Sequence, residues 1–200
     1  MNSKIFQRNY SKTFRNIGYD QVDCMTHYCT SIHMMCHVFS LPYTFDFLHM
    51  CGKNFPRIIF VNVINLVVWE YTPLEYDFFL RVTQSFPLLR TLTIENGESD
   101  RDQINDDDAA NQFNFVVEFP YLRTLHVSHA HIVYIEQLLH YSATHLSQLI
   151  EFKINYHHLK IVTNHFTRDA TRMNCSKINK LTCFPTIEPS EELRHYFPSL

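Results

Sequence analysis

Apolar residues recur along the chain in a pattern of the form L-x-x-L-x-L. Two copies are nearly identical, since residues 86–92 and residues 119–125 both read FP-x-LRTL. Looser copies precede and follow them, with a weaker sixth unit expected at Ile32–Phe39. The central apolar anchors of the five clearer copies are Leu66, Leu92, Leu125, Phe152 and Leu181, at intervals of 26, 33, 27 and 29 residues. Such regular spacing indicates an internal repeat.

Each repeat predicts one strand followed by one helix. The L-x-L centre alternates with a period of two residues, as a half-buried β-strand does. Between the strands, apolar residues recur at helical spacing: Phe78, Phe79, Val82 and Phe86; Ile132, Ile135, Leu138 and Leu139; Leu159, Val162 and Phe166. One strand and one helix in every ~20–29 residues is the leucine-rich-repeat unit. The predicted fold class is therefore α/β, a leucine-rich-repeat-like solenoid with a curved parallel sheet and helices on its convex side.

Length and composition favour one repeat domain with a lead-in. The chain has 200 residues, of which 46% are hydrophobic and 18% charged, so a sizeable core can form. We expect an N-terminal lead-in segment at 1–31 and the repeat domain at 32–200, with an acidic insertion at 97–112. Counted from Asp100, the sixth position of this insertion is not glycine and the twelfth is Asn111, so it does not fit a calcium loop. A solvated acidic arm is the expected structure.

The strand period also assigns side chains to the two faces of the sheet. The anchors and the residues two positions after them point towards the helices, and their neighbours face the concave surface. The predicted concave, protein-binding residues are Asn65, Val67, Trp69, Thr91, Thr93, Glu95, Thr124, His126, Ser128, Glu151, Lys153, Asn155, Lys180 and Thr182. This face is mixed polar and carries the single tryptophan of the chain, a residue type enriched among binding hot spots. It lacks the clustered lysines and arginines that binding to a phosphate backbone requires.

Charge and glycine content exclude several other classes. The net charge is −3 and the pI about 6.5, which argues against nucleic-acid binding. The three glycines stand alone, so no phosphate-binding loop of the P-loop or dinucleotide type can be written. Residues 1–20 lack a signal-peptide core, and the longest apolar stretch, 61–69, is too short to cross a membrane. We therefore expect no membrane partner, reduced cysteines, and an intracellular location in the cytoplasm or the nucleus.

Several longer stretches resemble the leucine-rich-repeat region of a large family of invertebrate F-box-containing proteins. They are FRNIGYD at 14–20, LPYTFDF at 41–47, PLEYDFFLRVTQSFPLLRTL at 73–92, VTNHFTRDATRMNC at 162–175, and the terminal YFPSL. The resemblance implies a substrate receptor of a cullin-RING ubiquitin ligase, in which the F-box docks the adaptor and the repeats hold a target. No segment of this chain is similar to an F-box, so an adaptor is expected as a partner only if a longer form carries one.

The function predicted from the residues is that of a non-enzymatic protein-binding scaffold, with its target unspecified. Thirteen histidines are present, but no serine or cysteine lies in a nucleophile motif, so no catalytic residue or cofactor is expected. Six potential metal ligands lie close together: Cys24, His27, Cys29, His33, Cys36 and His37. Their spacing does not form the paired pattern of a zinc knuckle, so we expect no metal. A zinc-binding regulatory protein that uses this cluster is the alternative.

Overall fold

A computed structural model describes residues 21–28, 34–51, 58–70, 74, 77–96 and 116–200, of which residues 21–28, 34–37, 70 and 96 are described by their backbone alone. The strands are β1 (Gln21–Tyr28), β2 (Met34–Leu41), β3 (Phe47–Cys51), β4 (Asn65–Glu70), β5 (Thr91–Asn96), β6 (Val117–Glu118), β7 (Thr124–His129), β8 (Thr144–His145), β9 (Glu151–Asn155) and β10 (Lys180–Phe184). The helices are α1 (Asp77–Ser85), α2 (Ile132–Leu139), α3 (Tyr156–Val162), α4 (Asp169–Cys175) and α5 (Glu191–Tyr196). The acidic insertion expected at 97–112 lies outside the described residues.

A parallel sheet of six strands, in the order β10-β9-β7-β5-β4-β3, is the centre of the fold. The five predicted anchors occupy one register position across it, and Leu48 of β3 precedes them. The predicted α/β class and the parallel pairing of the five predicted strands are therefore confirmed. Two short strands, β6 and β8, form a separate parallel pair.

The sixth unit expected at Ile32–Phe39 is wrong. Residues 34–41 form β2, which pairs antiparallel with β1 in a separate two-stranded ribbon. The sixth parallel strand is β3, which lies further along the chain. An apolar run with period-two alternation fits a hairpin as well as a sheet strand, so the pattern alone did not separate them. The expected division between residues 31 and 32 falls between these two paired strands.

The hydrophobic core lies between the sheet and its helices. Leu66, Leu92, Leu125 and Phe152 are fully buried and pack in one cluster with residues of α1, α2 and α3. Leu181 differs from the other anchors because it is only half-buried. It lies on β10, the last strand of the sheet, so no further strand among the described residues covers its outer side.

The same backbone junction recurs before five of the six strands. The carbonyl group of the residue before one strand accepts two hydrogen bonds, at 2.8–3.1 Å. The donors are two consecutive N–H groups of the neighbouring strand, one from the residue just before it and one from its first residue. The acceptors are Asp46 (from Ile64 and Asn65), Ile64 (from Arg90 and Thr91), Arg90 (from Arg123 and Thr124), Arg123 (from Ile150 and Glu151) and Ile150 (from Asn179 and Lys180). One structural unit is thus repeated across the sheet, in agreement with the repeat in the sequence.

The structural unit begins three residues earlier than the L-x-x-L-x-L pattern. A buried residue precedes the first apolar position in every unit: Phe60, Phe86, Phe119, Leu146 and Cys175. In four of the units its carbonyl accepts a hydrogen bond from the N–H of that first apolar residue, at 3.2 Å. This turn carries the chain from the helical layer back to the sheet. The FP pair in two of the copies was its only visible sign in the sequence.

A buried asparagine fixes the connection between α2 and β9. The side-chain oxygen of Asn174 accepts a hydrogen bond from the N–H of Leu146 at 2.9 Å. Its amide nitrogen donates to the carbonyls of Leu139 at 3.0 Å and Thr144 at 2.7 Å. Because Asn174 is only 3% exposed, it satisfies backbone groups that water does not reach.

Candidate binding face

The sheet face opposite the core is the candidate binding site. We call it the open face and define it by the fourteen predicted residues together with Phe47, His49, His129 and Phe184. Strand alternation leaves each of the fourteen partly or largely exposed, while the intervening residues of β4, β5, β7 and β9 are buried. On these four strands the burial therefore agrees with the predicted division between the two sides of the sheet, whereas on β10 the predicted core residue Leu181 is only half-buried.

A central row of side chains crosses the open face from strand to strand. Val67, Thr93, His126, Lys153 and Thr182 occupy one register position on β4, β5, β7, β9 and β10. Adjacent members lie about 5 Å apart, the usual spacing of strands in a sheet. The row therefore runs from an aliphatic residue, through two polar residues, to a lysine and a threonine, and His49 continues it on β3.

His126 is the central member of this row. Its Nδ1 lies 3.4 Å from the Thr93 hydroxyl, whereas its Nε2 is buried and has no hydrogen-bond partner among the described residues. Burial lowers the pKa of His126, and the neighbouring charge of Lys153 lowers it further. Both causes disfavour the charged imidazolium, so His126 is predominantly neutral at pH 7.

Two lysines share one carboxylate on β9 and β10, the last two strands of the sheet along the chain. Glu151 Oε1 lies 2.9 Å from Lys180 Nζ and 3.7 Å from Lys153 Nζ. The hydrogen bond from Lys180 is the main cause that lowers the pKa of Glu151. The three groups together carry one uncompensated positive charge.

A side-chain hydrogen bond joins β5 to β7, and the strand pattern did not predict it. His129 Nδ1 lies 2.9 Å from Glu95 Oε2. The register between β5 and β7 shifts after Thr93, so Glu95 aligns with His129, one residue beyond the predicted Ser128. Strict alternation placed Ser128 opposite Glu95, because a register shift leaves no mark in a two-residue pattern. Ser128 itself is partly exposed.

Aromatic side chains lie on β3 and β4, the first two strands of the sheet along the chain. Trp69 is 37% exposed and its ring centroid lies 6.0 Å from that of His49, while Phe47 is 49% exposed. Phe45, Leu48 and Met50 fit the loose repeat pattern, but the interval of 18 residues from Leu48 to Leu66 is shorter than the other intervals, and Phe47 and His49 were missed. The alternation of buried Leu48 and Met50 was the signal that could have found them. Phe184 is 50% exposed and lies on β10, at the opposite edge of the sheet, where it is aligned with Asn155 of β9.

The described residues hold no group of three or more histidine, cysteine, aspartate or glutamate side chains placed to bind a metal ion. Of the predicted cluster, Cys24, His27, Cys36 and His37 lie on the β1–β2 ribbon, where only the backbone is described. Cys29 and His33 lie outside the described residues. The zinc-binding alternative therefore stays a hypothesis based on the closeness of these six residues in the sequence.

Three cysteine thiols elsewhere in the fold are buried, those of Cys51, Cys175 and Cys183. Burial raises the pKa of Cys183 to about 11 and raises that of Cys175 further. Neither thiol is ionised at neutral pH, which makes both poor nucleophiles. Their role is to fill space between the sheet and the helices.

Comparisons with known proteins add no relative: no protein-family model, curated protein or solved structure matches the chain significantly. In the part of the chain that the structure describes, none of the helices has the length and apolar character needed to cross a bilayer. The resemblance to F-box-containing proteins thus stays a prediction from sequence.

Proposed function

We propose that this protein is a non-enzymatic binding scaffold that holds a protein partner on the open face of its sheet. The observation that carries the proposal is the open face itself: a continuous surface of partly exposed side chains across parallel strands, with Trp69 near one end. The recurring backbone junction supports a leucine-rich-repeat-like solenoid in which this face is concave. Solenoids of this kind use extended concave surfaces for binding.

The chemistry of the open face favours a protein over a nucleic acid. Its lysines are held by Glu151, and Glu95 is paired with His129. A surface that binds a phosphate backbone needs several uncompensated cations, whereas protein interfaces combine aromatic anchors with paired polar groups. Trp69 and its neighbours match the composition of a protein interface.

The finer proposal is that the chain is the target-holding part of an F-box-type ubiquitin-ligase receptor. Its support is the sequence resemblance, together with a parallel α/β repeat fold of the kind that the resemblance implies. An adaptor and a cullin belong to the proposal only for a form that carries an F-box. An intracellular location, in the cytoplasm or nucleus, is also proposed and is consistent with the unpaired thiols of Cys175 and Cys183.

Affinity capture from cells of the source organism tests the proposal. The tagged chain is compared with a Trp69→Ala/Lys153→Glu variant of the open face and with Val133→Ala, a change at a 40%-exposed position of α2. The proposal expects a protein set that the wild type and Val133→Ala retain and the open-face variant loses. An identical set from all three baits, or no specific protein from any, would contradict it. Adaptor and cullin subunits in the set would favour the ligase assignment.

A further inference from the structure

The two sides of the open face, β3–β4 and β9–β10, differ in chemistry. At one end Val67 and Trp69 present apolar surface on β4, and Phe47 adds to it from β3. At the other end Lys153 and Lys180 flank Glu151, and the exposed part of Lys180 reaches 64% of its side chain. Between them the central row carries the hydroxyl of Thr93 and the neutral imidazole of His126, and Glu95 lies beside Trp69 on β5.

We infer that the open face binds an extended peptide segment that carries a large apolar residue and an acidic residue four or five positions apart. The inference rests on the proposed function and names the class of partner. The apolar residue contacts Trp69 and Val67, and the acidic side chain binds Lys153 and Lys180. The peptide backbone crosses the strands over Thr93 and His126.

The acidic preference follows from the charge of the lysine end. One carboxylate, Glu151, faces two ammonium groups, which leaves one positive charge and several N–H donors unused. The other described carboxylate on this face, Glu95, lies on β5, two strands from Lys153, where it is aligned with Trp69 and contacts His129. A carboxylate from the partner completes the neutralisation through charge-assisted hydrogen bonds.

The spacing follows from the register. Val67 and Lys153 occupy the same position on β4 and β9, which are three strand steps apart in the sheet. At about 4.8 Å per step the separation is about 14 Å, and the offset of Trp69 by two residues lengthens it to about 16 Å. An extended peptide advances about 3.3 Å per residue, so it covers this distance in four or five residues.

A random twelve-residue peptide library displayed on phage and selected against the full chain tests the inference. We expect the enriched peptides to carry an aromatic or large aliphatic residue and an aspartate or glutamate four or five positions apart. Synthetic copies should bind at least about ten-fold more weakly to Lys153→Glu and to Trp69→Ala. They should bind Lys160→Glu, a change of a lysine on α3, as they bind the wild type. Lys153→Gln is the milder second variant, and thermal unfolding verifies that each variant is folded.

The possible results separate this inference from the proposed function. Enriched peptides that Trp69→Ala weakens, but that lack an acidic position or ignore both Lys153 variants, overturn the peptide class and leave the binding face in place. Enriched peptides with a basic residue at the predicted acidic position also overturn it. A selection that yields no peptide overturns the peptide class alone, and peptides that bind all variants equally contradict both.

Discussion

His126 and Lys153 occupy the same register position on neighbouring strands, at the centre of the open face. The burial of His126 and the charge of Lys153 both act against protonation of the imidazole. The pair therefore links the charge state of the binding face to pH and to the stability of the fold.

The first prediction concerns the pH dependence of stability. The pKa of His126 is lowered in the folded chain, so the unfolded chain, with a histidine pKa of about 6.5, binds the proton more readily. The contribution of His126 to the stability of the folded state is then complete above pH 6.5. It is lost as the pH drops from about 6.5 through the lower pKa of the folded chain. An NMR titration of the imidazole carbon-bound protons measures this pKa, with His126→Gln to assign the signal. Lys153→Met should raise the pKa part of the way, because burial is the larger cause. A folded pKa at or above 6.5 would refute the assignment.

The second prediction concerns the repeat anchors. Leu125 is fully buried at the middle of the sheet, so Leu125→Ala should lower the free energy of unfolding by about 2–5 kcal/mol. Leu88→Ala is the matched control, since Leu88 is 46% exposed, and should change it by less than about 1 kcal/mol. Denaturant titration measures both. Equal losses would show that Leu125 is not part of the core.

The third prediction concerns the buried asparagine. Asn174→Ala leaves the N–H of Leu146 and the carbonyls of Leu139 and Thr144 without their partner, which should cost about 2–5 kcal/mol in unfolding free energy. Asn179→Ala, at an exposed position, is the control and should cost less than about 0.5 kcal/mol. Thermal or chemical unfolding of both variants provides the comparison. A cost for Asn174→Ala no larger than that of the control would show that water replaces its hydrogen bonds.

The fourth prediction concerns the single tryptophan. Because Trp69 is 37% exposed, Trp69→Ala should cost about 1 kcal/mol of stability, well below the ~3–5 kcal/mol of a buried aromatic. In the wild type its fluorescence should be quenched by acrylamide and should shift when a partner binds. Leu66→Ala, at a fully buried position of the same strand, should cost several times more. A loss of several kcal/mol for Trp69→Ala would make the ring part of the core and would remove it as an anchor for a partner.

The parts of the fold that depend on side-chain period were predictable from the sequence. The alternation around Leu66, Leu92 and Leu125 has one buried face, and a shift by a single residue would expose all three anchors. Their regular spacing then leaves parallel stacking with helical crossovers as the simplest arrangement. The division between core and open face follows from the same alternation.

The parts that depend on local backbone geometry were not predictable. The register shift that brings His129 to Glu95 involves backbone pairing, which the side-chain pattern does not record. The strand that contains Phe47 was missed because its anchor, Leu48, lies only 18 residues before Leu66, a shorter interval than those between the other anchors. The hydrogen bonds of Asn174 join segments about thirty residues apart, so no short motif reveals them. The first two features give the binding face its contact between Glu95 and His129 and its aromatic side chains on β3.

Site-specific photo-crosslinking tests the central claim, that the open face is where the protein holds its partner. A benzophenone amino acid replaces either Thr93, at the centre of the open face, or Val133, exposed on α2, and each chain is irradiated in cells of the source organism. The account predicts a discrete protein adduct from position 93, absent from position 133 and absent when Lys153→Glu is added. Adducts formed from position 133 alone, or equally from both positions, would contradict it.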